Sequence, residues 1–120
     1  MKYELAIPET APSPNQVMRL HWAERKKLWD RWGRFIWACV LTQGRLPEKP
    51  PERARVTITR SGVRLLDPDN LTGSCKPVID ALTRNRLITD DSSEHIELEV
   101  RQVRKPTREK PCTLIEVEAI

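Results

Sequence analysis

Cysteine is scarce in this chain and is not arranged for chemistry. Three occur, at positions 39, 75 and 112, an odd count with no CxxC pair. That argues against a zinc site or a disulfide framework and for free thiols in a reducing compartment. Long apolar runs are also missing. The longest, Phe35 to Leu41, falls far short of the roughly 20 residues that a membrane span requires. The opening Met1-Lys2-Tyr3-Glu4-Leu5 carries an acid and no extended apolar region, so no signal peptide is expected and the chain is expected to work in the cytoplasm, away from membranes. Internal repeats are absent, and the only biased stretches are short proline-rich linkers.

What is present is enough for one domain: 120 residues, 38% of them hydrophobic and 32% charged. Apolar residues recur periodically, which argues against disorder. The net charge is +4, compatible with a polyanionic partner without requiring one. Its distribution is more informative. Basic residues crowd positions 19–34, 53–64 and 101–110, whereas acids gather at Asp67-Asp69 and Asp90-Asp91.

Period-two alternation over Lys2–Ile7 predicts a strand, followed by an extended loop through Pro12-Ser13-Pro14-Asn15. From about His21 to Gln43 the period becomes helical. Trp22, Trp29, Trp32, Ile36, Cys39 and Val40 share a broad face, with Glu24, Lys27, Asp30, Arg31 and Arg34 opposite. Trp37 lies off that stripe and is the expected interface residue. Gly44 is the expected helix terminator, and Pro47, Pro50 and Pro51 form a linker. Arg55–Arg60 predicts a second strand, turned by Ser61-Gly62. A shorter helix is expected up to about Asn85, with Ser74 as N-cap and Pro77 in its first turn. Ile96, Leu98 and Val100 predict a third core strand, Pro106–Pro111 a basic loop, and Leu114–Ala119 the last strand. His95 is expected to be structural or exposed. The order β-α-β-α-β-β indicates a single α+β domain with one mixed sheet and two main helices.

The stretch Asp67-Pro68-Asp69-Asn70 concentrates chemistry. If it is extended, Asp67 and Asp69 project from one face, where paired carboxylates repel unless a cation lies between them. Mg²⁺ suits such oxygen donors. The same four residues are also ordinary turn composition. An EF-hand is excluded: the next ligand position falls on Leu71, and no glycine follows at the sixth position. Lys76 and Asp80, four apart, share a helix face, as an i,i+4 surface pair would. With Asp90-Asp91 they complete a set able to cleave phosphodiesters, in which a metal activates water and a lysine neutralises transition-state charge. Arg19, His21, Arg25 and Lys26 could form a phosphate-contacting patch or merely a solvated helix face. Arg60 and Arg64 flank the turn before the acidic motif and are candidates for phosphate contacts near the cut.

Asp67-x-Asp69-Asn70-Leu71, then Lys76-x-x-x-Asp80-Ala81-Leu82-Thr83, then Asp90-Asp91 resembles the signature of the RusA family of Holliday-junction resolvases. The resemblance covers about residues 55–103, and the Pro12–Asn15 loop resembles the family as well. It implies a homodimeric endonuclease that uses Mg²⁺ or Mn²⁺ to cut four-way DNA junctions by paired incisions, of a kind common in phages and prophages. By position, Asp67, Asp69 and Asp91 match the metal-binding carboxylates, Lys76 the catalytic lysine, and Asp80 and Asp90 supporting acids. Between Asn70 and Lys76 this chain has three residues more than the founding pattern. That is close to one helical turn, a shift of about 4.5 Å along an axis, or else a looped-out Thr72-Gly73. Two other functions fit the same residues: a non-catalytic protein that binds branched DNA, and a metal nuclease acting on flaps or other branches.

Overall fold

The computed structural model describes residues 2–43, 49–106 and 110–120. Gly44, Pro47 and the middle of the 106–111 loop lie outside them. The elements run β1 (Lys2–Ile7), α1 (Pro14–Met18), α2 (Trp22–Thr42), β2 (Ala54–Gly62), α3 (Pro68–Ser74), α4 (Lys76–Arg84), β3 (Ile96–Arg104) and β4 (Cys112–Ala119). The expected β-α-β-α-β-β order is present, with a short extra helix ahead of each main one. The four strands form one mixed sheet in the order β1-β4-β2-β3. Strand β4 runs antiparallel to both β1 and β2, whereas β2 and β3 are parallel. A parallel pair needs a long crossover, and α3 and α4 supply it.

Alternation along the strands decides which face is covered. Tyr3, Leu5 and Ile7 of β1, Val56 and Ile58 of β2, and Ile115 and Val117 of β4 are buried on one side. Leu28, Trp32, Ile36 and Val40 of α2 and Val78, Ile79 and Leu82 of α4 complete that core. The opposite face carries Glu4, Arg55, Glu116 and Glu118, all exposed.

Several expectations fail for identifiable reasons. Trp22 does not join the core face; it is 71% exposed at the first residue of α2, more than a full turn ahead of Leu28, the first buried residue of that helix. Asp30 is not on a free face; Arg84 of α4 reaches its Oδ1 at 2.9 Å, so it closes the α2–α4 seam. Ser61-Gly62 is not a turn but the end of β2, paired with Val103 and Arg104. Strand β3 lies at the sheet edge away from α2, which packs on β1 at the other edge, so its alternation is only half covered. Ile96 is buried, while Leu98 is 39% exposed. Ser74 is the last residue of α3 and donates its hydroxyl to the Leu71 carbonyl at 2.6 Å, so it caps nothing. Helix α4 instead follows Cys75 with no side-chain cap, and Pro77 occupies its first turn.

The ends of the short helices set the local geometry of the chemistry described below. Ser13 caps α1 in a reciprocal capping box with Gln16. Helix α1 packs on α3 so closely that a Cβ on Gly73 would stand 2.7 Å from Pro14 Cγ. Helix α4 ends in a Schellman arrangement: Leu87 N–H reaches the Leu82 carbonyl, and Arg86 N–H reaches that of Thr83. Arg86 holds the left-handed position at φ 64°, where glycine is the usual occupant. The turn sends Leu87 and Ile88 into the core and delivers Asp90 and Asp91 just beyond.

Candidate active site

The acidic motif is not extended. Asp67 is the N-cap of α3 and Pro68 its first residue, a combination that starts helices because the proline lacks an N–H that would have no partner there. Asp67 Oδ1 accepts from Asn70 N–H at 2.9 Å, and its Oδ2 accepts from Asn70 Nδ2 at 2.8 Å. These two donors, backbone first, hold the Asp67 carboxyl below the usual carboxylate range. Asp69 follows, exposed, in the first turn. The residues between Asn70 and Lys76 neither loop out nor extend α4. They form the remainder of α3, and the break at Cys75 sets Lys76 at the head of the next helix.

Lys76 is the centre of the second group. Its Nζ stands 3.2 Å from Asp80 Oδ1, one turn along α4, and 3.4 Å from Asp91 Oδ2 on the loop beyond that helix. Bonding to Asp80, and secondarily to Asp91, raises the affinity of Lys76 for its proton, so the ammonium is charged at neutral pH. Asp91 is held below its ordinary range by hydrogen bonding with Asp90 and then with Lys76. Asp90 Oδ1 also accepts from the Asp91 backbone N–H at 2.8 Å, which fixes the turn. Asp80 is anchored on its other oxygen: Trp29 Nε1 of α2 donates to Oδ2 at 2.8 Å. A chain of contacts therefore runs from Trp29 through Asp80 and Lys76 to Asp91.

Hydrogen bonds and ion pairs thus join Lys76, Asp80, Asp90 and Asp91. Among the described residues no hydrogen bond or ion pair links Asp67 or Asp69 to the lysine cluster. No three His, Cys, Asp or Glu side chains among the described residues converge enough to hold a metal ion as they stand. In donor chemistry the set does fit a hard cation, since it offers exposed carboxylate oxygens without sulfur or imidazole.

The basic candidates divide. Arg19 is exposed at the end of α1, and His21 caps α2 by accepting from Ala23 N–H on Nδ1 at 3.3 Å. Arg25 donates from Nε to the Leu20 carbonyl, and Lys26 pairs with Asp30 at 3.0 Å. All four remain at the surface. Arg60 does not. It is 8% exposed and donates inward to the carbonyls of Ala11 at 2.9 Å and Arg64 at 3.3 Å. Burial lowers its hold on its proton, and a guanidinium so engaged props the Ala11 loop rather than meeting phosphate. Arg64 is exposed on the rim of an open groove of about 750 Å³ that Thr10, Pro12, Leu28 and Leu66 also line. No acid of the motif lines this groove. His95 is half-buried, with Nδ1 at 2.9 Å from the Glu52 carbonyl, a structural role.

Two positioning residues escape a reading of the sequence. Gln102 on β3 accepts from Leu66 N–H at 2.9 Å and donates to the Leu66 carbonyl at 2.8 Å, clamping the backbone that precedes Asp67. Arg53 donates to the carbonyls of Ser93 and Glu94, both at 3.1 Å, and so steadies the loop after Asp91. All four bonds span more than 30 positions and leave no local signature. Asn70 was legible, since an Asx residue three after an N-cap is well placed to bond it.

No family model matches the chain, and no curated protein matches it significantly. Among the described residues no helix is long and apolar enough to cross a membrane.

Proposed function

We propose that this chain is a Mg²⁺-dependent DNA endonuclease of the RusA type that cuts four-way junctions as a homodimer in the cytoplasm of a bacterial or phage-infected cell. The observation that carries the reading is the Lys76 ammonium held between Asp80 and Asp91, on a surface open enough to receive a DNA backbone. Asp67, Asp69 and Asp91 would hold Mg²⁺ (or Mn²⁺), which when bound would supply a polarised water and offset phosphate charge. The chain's own contribution follows from its contacts. Lys76 Nζ presents a fixed positive charge to the negative charge that grows on the phosphate oxygens during hydrolysis. Asp80, tied down by Trp29, keeps that ammonium aimed. Asn70 and Gln102 orient Asp67 from two directions. Two copies related by a two-fold axis would present two such sites to the two strands of a near-symmetric junction.

One observation favours a second reading. Asp67 and Asp69 do not reach the lysine cluster, as a chain that binds branched DNA without cutting it would tolerate. The decisive experiment compares a mobile four-way junction with linear duplex of the same sequence, in Mg²⁺ or in EDTA. Paired symmetric nicks restricted to the junction and dependent on metal support the resolvase. Cleavage confined to flaps supports a different branched-DNA nuclease. Junction binding without nicks under every metal condition assigns the chain to the non-catalytic reading.

A further inference from the structure

Trp22 is the most exposed indole in the chain, at 71%, and among the described residues the only ring near it is His21, with centroids 5.4 Å apart. Exposing an indole forfeits the gain from burying it, and the residues beside it decide which ligand would restore that gain. Trp22, Arg25, Lys26 and Trp29 fall at i, i+3, i+4 and i+7, one stripe of α2. The far end of that stripe is fixed by a contact: Trp29 Nε1 donates to Asp80, the carboxylate that grips Lys76. Seven residues at about 1.5 Å each place Trp22 roughly 10 Å from that anchor, close to three base steps of about 3.4 Å.

The two neighbours between the indoles are cations, not aliphatic residues. Lys26 pairs with Asp30 at 3.0 Å, whereas Arg25 has no ion pair among the described residues, so an apolar partner helix would leave Arg25 facing it without counter-charge. An aromatic face flanked by fixed positive charge matches a nucleotide, whose base stacks while its phosphates meet the cations. His21 adds to this. Its Nδ1 accepts from Ala23 N–H, so the Nε2 side carries the proton and points a donor outward.

We propose that Trp22 is a stacking platform for an unpaired nucleobase, set about three base steps along α2 from Trp29, the residue that anchors the Lys76 cluster, with Arg25, Lys26 and His21 holding the adjoining phosphates. This rests on the reading that the chain acts on branched DNA and specifies the part of that DNA it selects: a base freed from pairing near the branch point.

The test measures equilibrium binding in EDTA, where nothing is cut. The probes are a duplex with a short single-stranded gap that carries 2-aminopurine and a fully paired duplex of equal length. The wild-type chain is expected to bind the gapped probe more tightly and to quench the 2-aminopurine. Trp22→Ala should weaken gapped-probe binding about tenfold or more, with duplex binding unchanged and the quench lost. Trp22→Phe should keep most of both. Equal losses on the two probes, or no loss, overturn the platform. A change in oligomeric state on Trp22→Ala without change in DNA binding also overturns it and assigns the indole to a protein contact. Junction cleavage by the wild type in Mg²⁺ is scored separately. Cleavage with an indifferent Trp22 refutes the platform alone. A Trp22-dependent preference for the gap without cleavage under any metal refutes the nuclease reading and leaves the platform standing.

Discussion

Replacing Gln102 with alanine removes two hydrogen bonds at once, from the N–H and to the carbonyl of Leu66. A typical intramolecular hydrogen bond contributes about 0.5–1.5 kcal/mol net, so the pair spans roughly 1–3 kcal/mol. Leu66 and Gln102 are both half-buried, which lets water replace the lost partners and favours the lower end, about 1.5 kcal/mol. With a urea slope of about 1.5 kcal/mol/M for a domain of this size, the unfolding midpoint should fall by about 1 M. Amide exchange at Leu66 should accelerate selectively, because β3 itself stays paired to β2. Gln102→Glu keeps the acceptor for Leu66 N–H and loses the donor, so it should fall between wild type and Gln102→Ala. Under the nuclease reading the loosened motif also needs more Mg²⁺ for half-maximal cleavage, because the Asp67 oxygens are no longer held in place. Urea unfolding followed by fluorescence, with hydrogen exchange at Leu66, checks the structural claim. An unchanged midpoint together with unchanged Leu66 exchange in Gln102→Ala would refute the clamp.

Asp69→Asn is expected to abolish metal-dependent cleavage while the variant folds and binds branched DNA as before; wild-type cutting by it would end the metal assignment. Arg86→Gly should stabilise the chain by about 0.5–1 kcal/mol in thermal melts, since the left-handed position no longer bears a side chain. Gly73→Ala runs against helix propensity: the new methyl meets the Pro14 ring, so a melt should show destabilisation of about 1 kcal/mol or more instead of the usual gain. Asp30 is held below its ordinary range, first by Arg84 and then by Lys26, so it binds its proton less readily folded than unfolded. Its contribution is therefore complete above the unfolded value of about 3.9 and is lost as pH falls through the folded one. A melting series through about pH 4 should show a stability loss that Asp30→Asn lacks.

Periodic elements were legible because periodicity is a local property. Strand β1 and helix α2 lie within a residue or so of the bounds that the alternation implied, and Trp32, Ile36 and Val40 are core as expected. Local pattern fails where the outcome depends on neighbours distant in the chain. Leu98 alternates like a core residue, yet β3 is the edge that α2 does not cover, and only the sheet order and helix packing reveal that. Arg60 looks like a surface cation until the Ala11 carbonyl is brought to it across 49 positions. Asp67-Pro68, read as extended or as a turn, is in fact an N-cap followed by the proline of a helix's first turn. At the site, the i,i+4 spacing made the Lys76–Asp80 pair visible in advance, and the three-dimensional turn after α4 added Asp91. That no hydrogen bond or ion pair among the described residues ties Asp67 to that group was not visible, because it follows from Asp67 capping α3 through Asn70 instead.

The position of β4 shapes how the chain reaches its folded state. It follows every other strand in sequence, yet it lies between β1 and β2 and is the only strand that touches β1. On a ribosome, β2, the two crossover helices and β3 can pair as soon as they emerge, whereas β1 must wait unpaired until Cys112–Ala119 arrives. Closing Lys2 onto Glu118 orders a loop that spans nearly the whole sequence, a pairing whose entropy is recovered only at the end of folding. A polypeptide that stops before Cys112 therefore leaves the facing edges of β1 and β2 unpaired, and completion of the sheet is expected to be a late event.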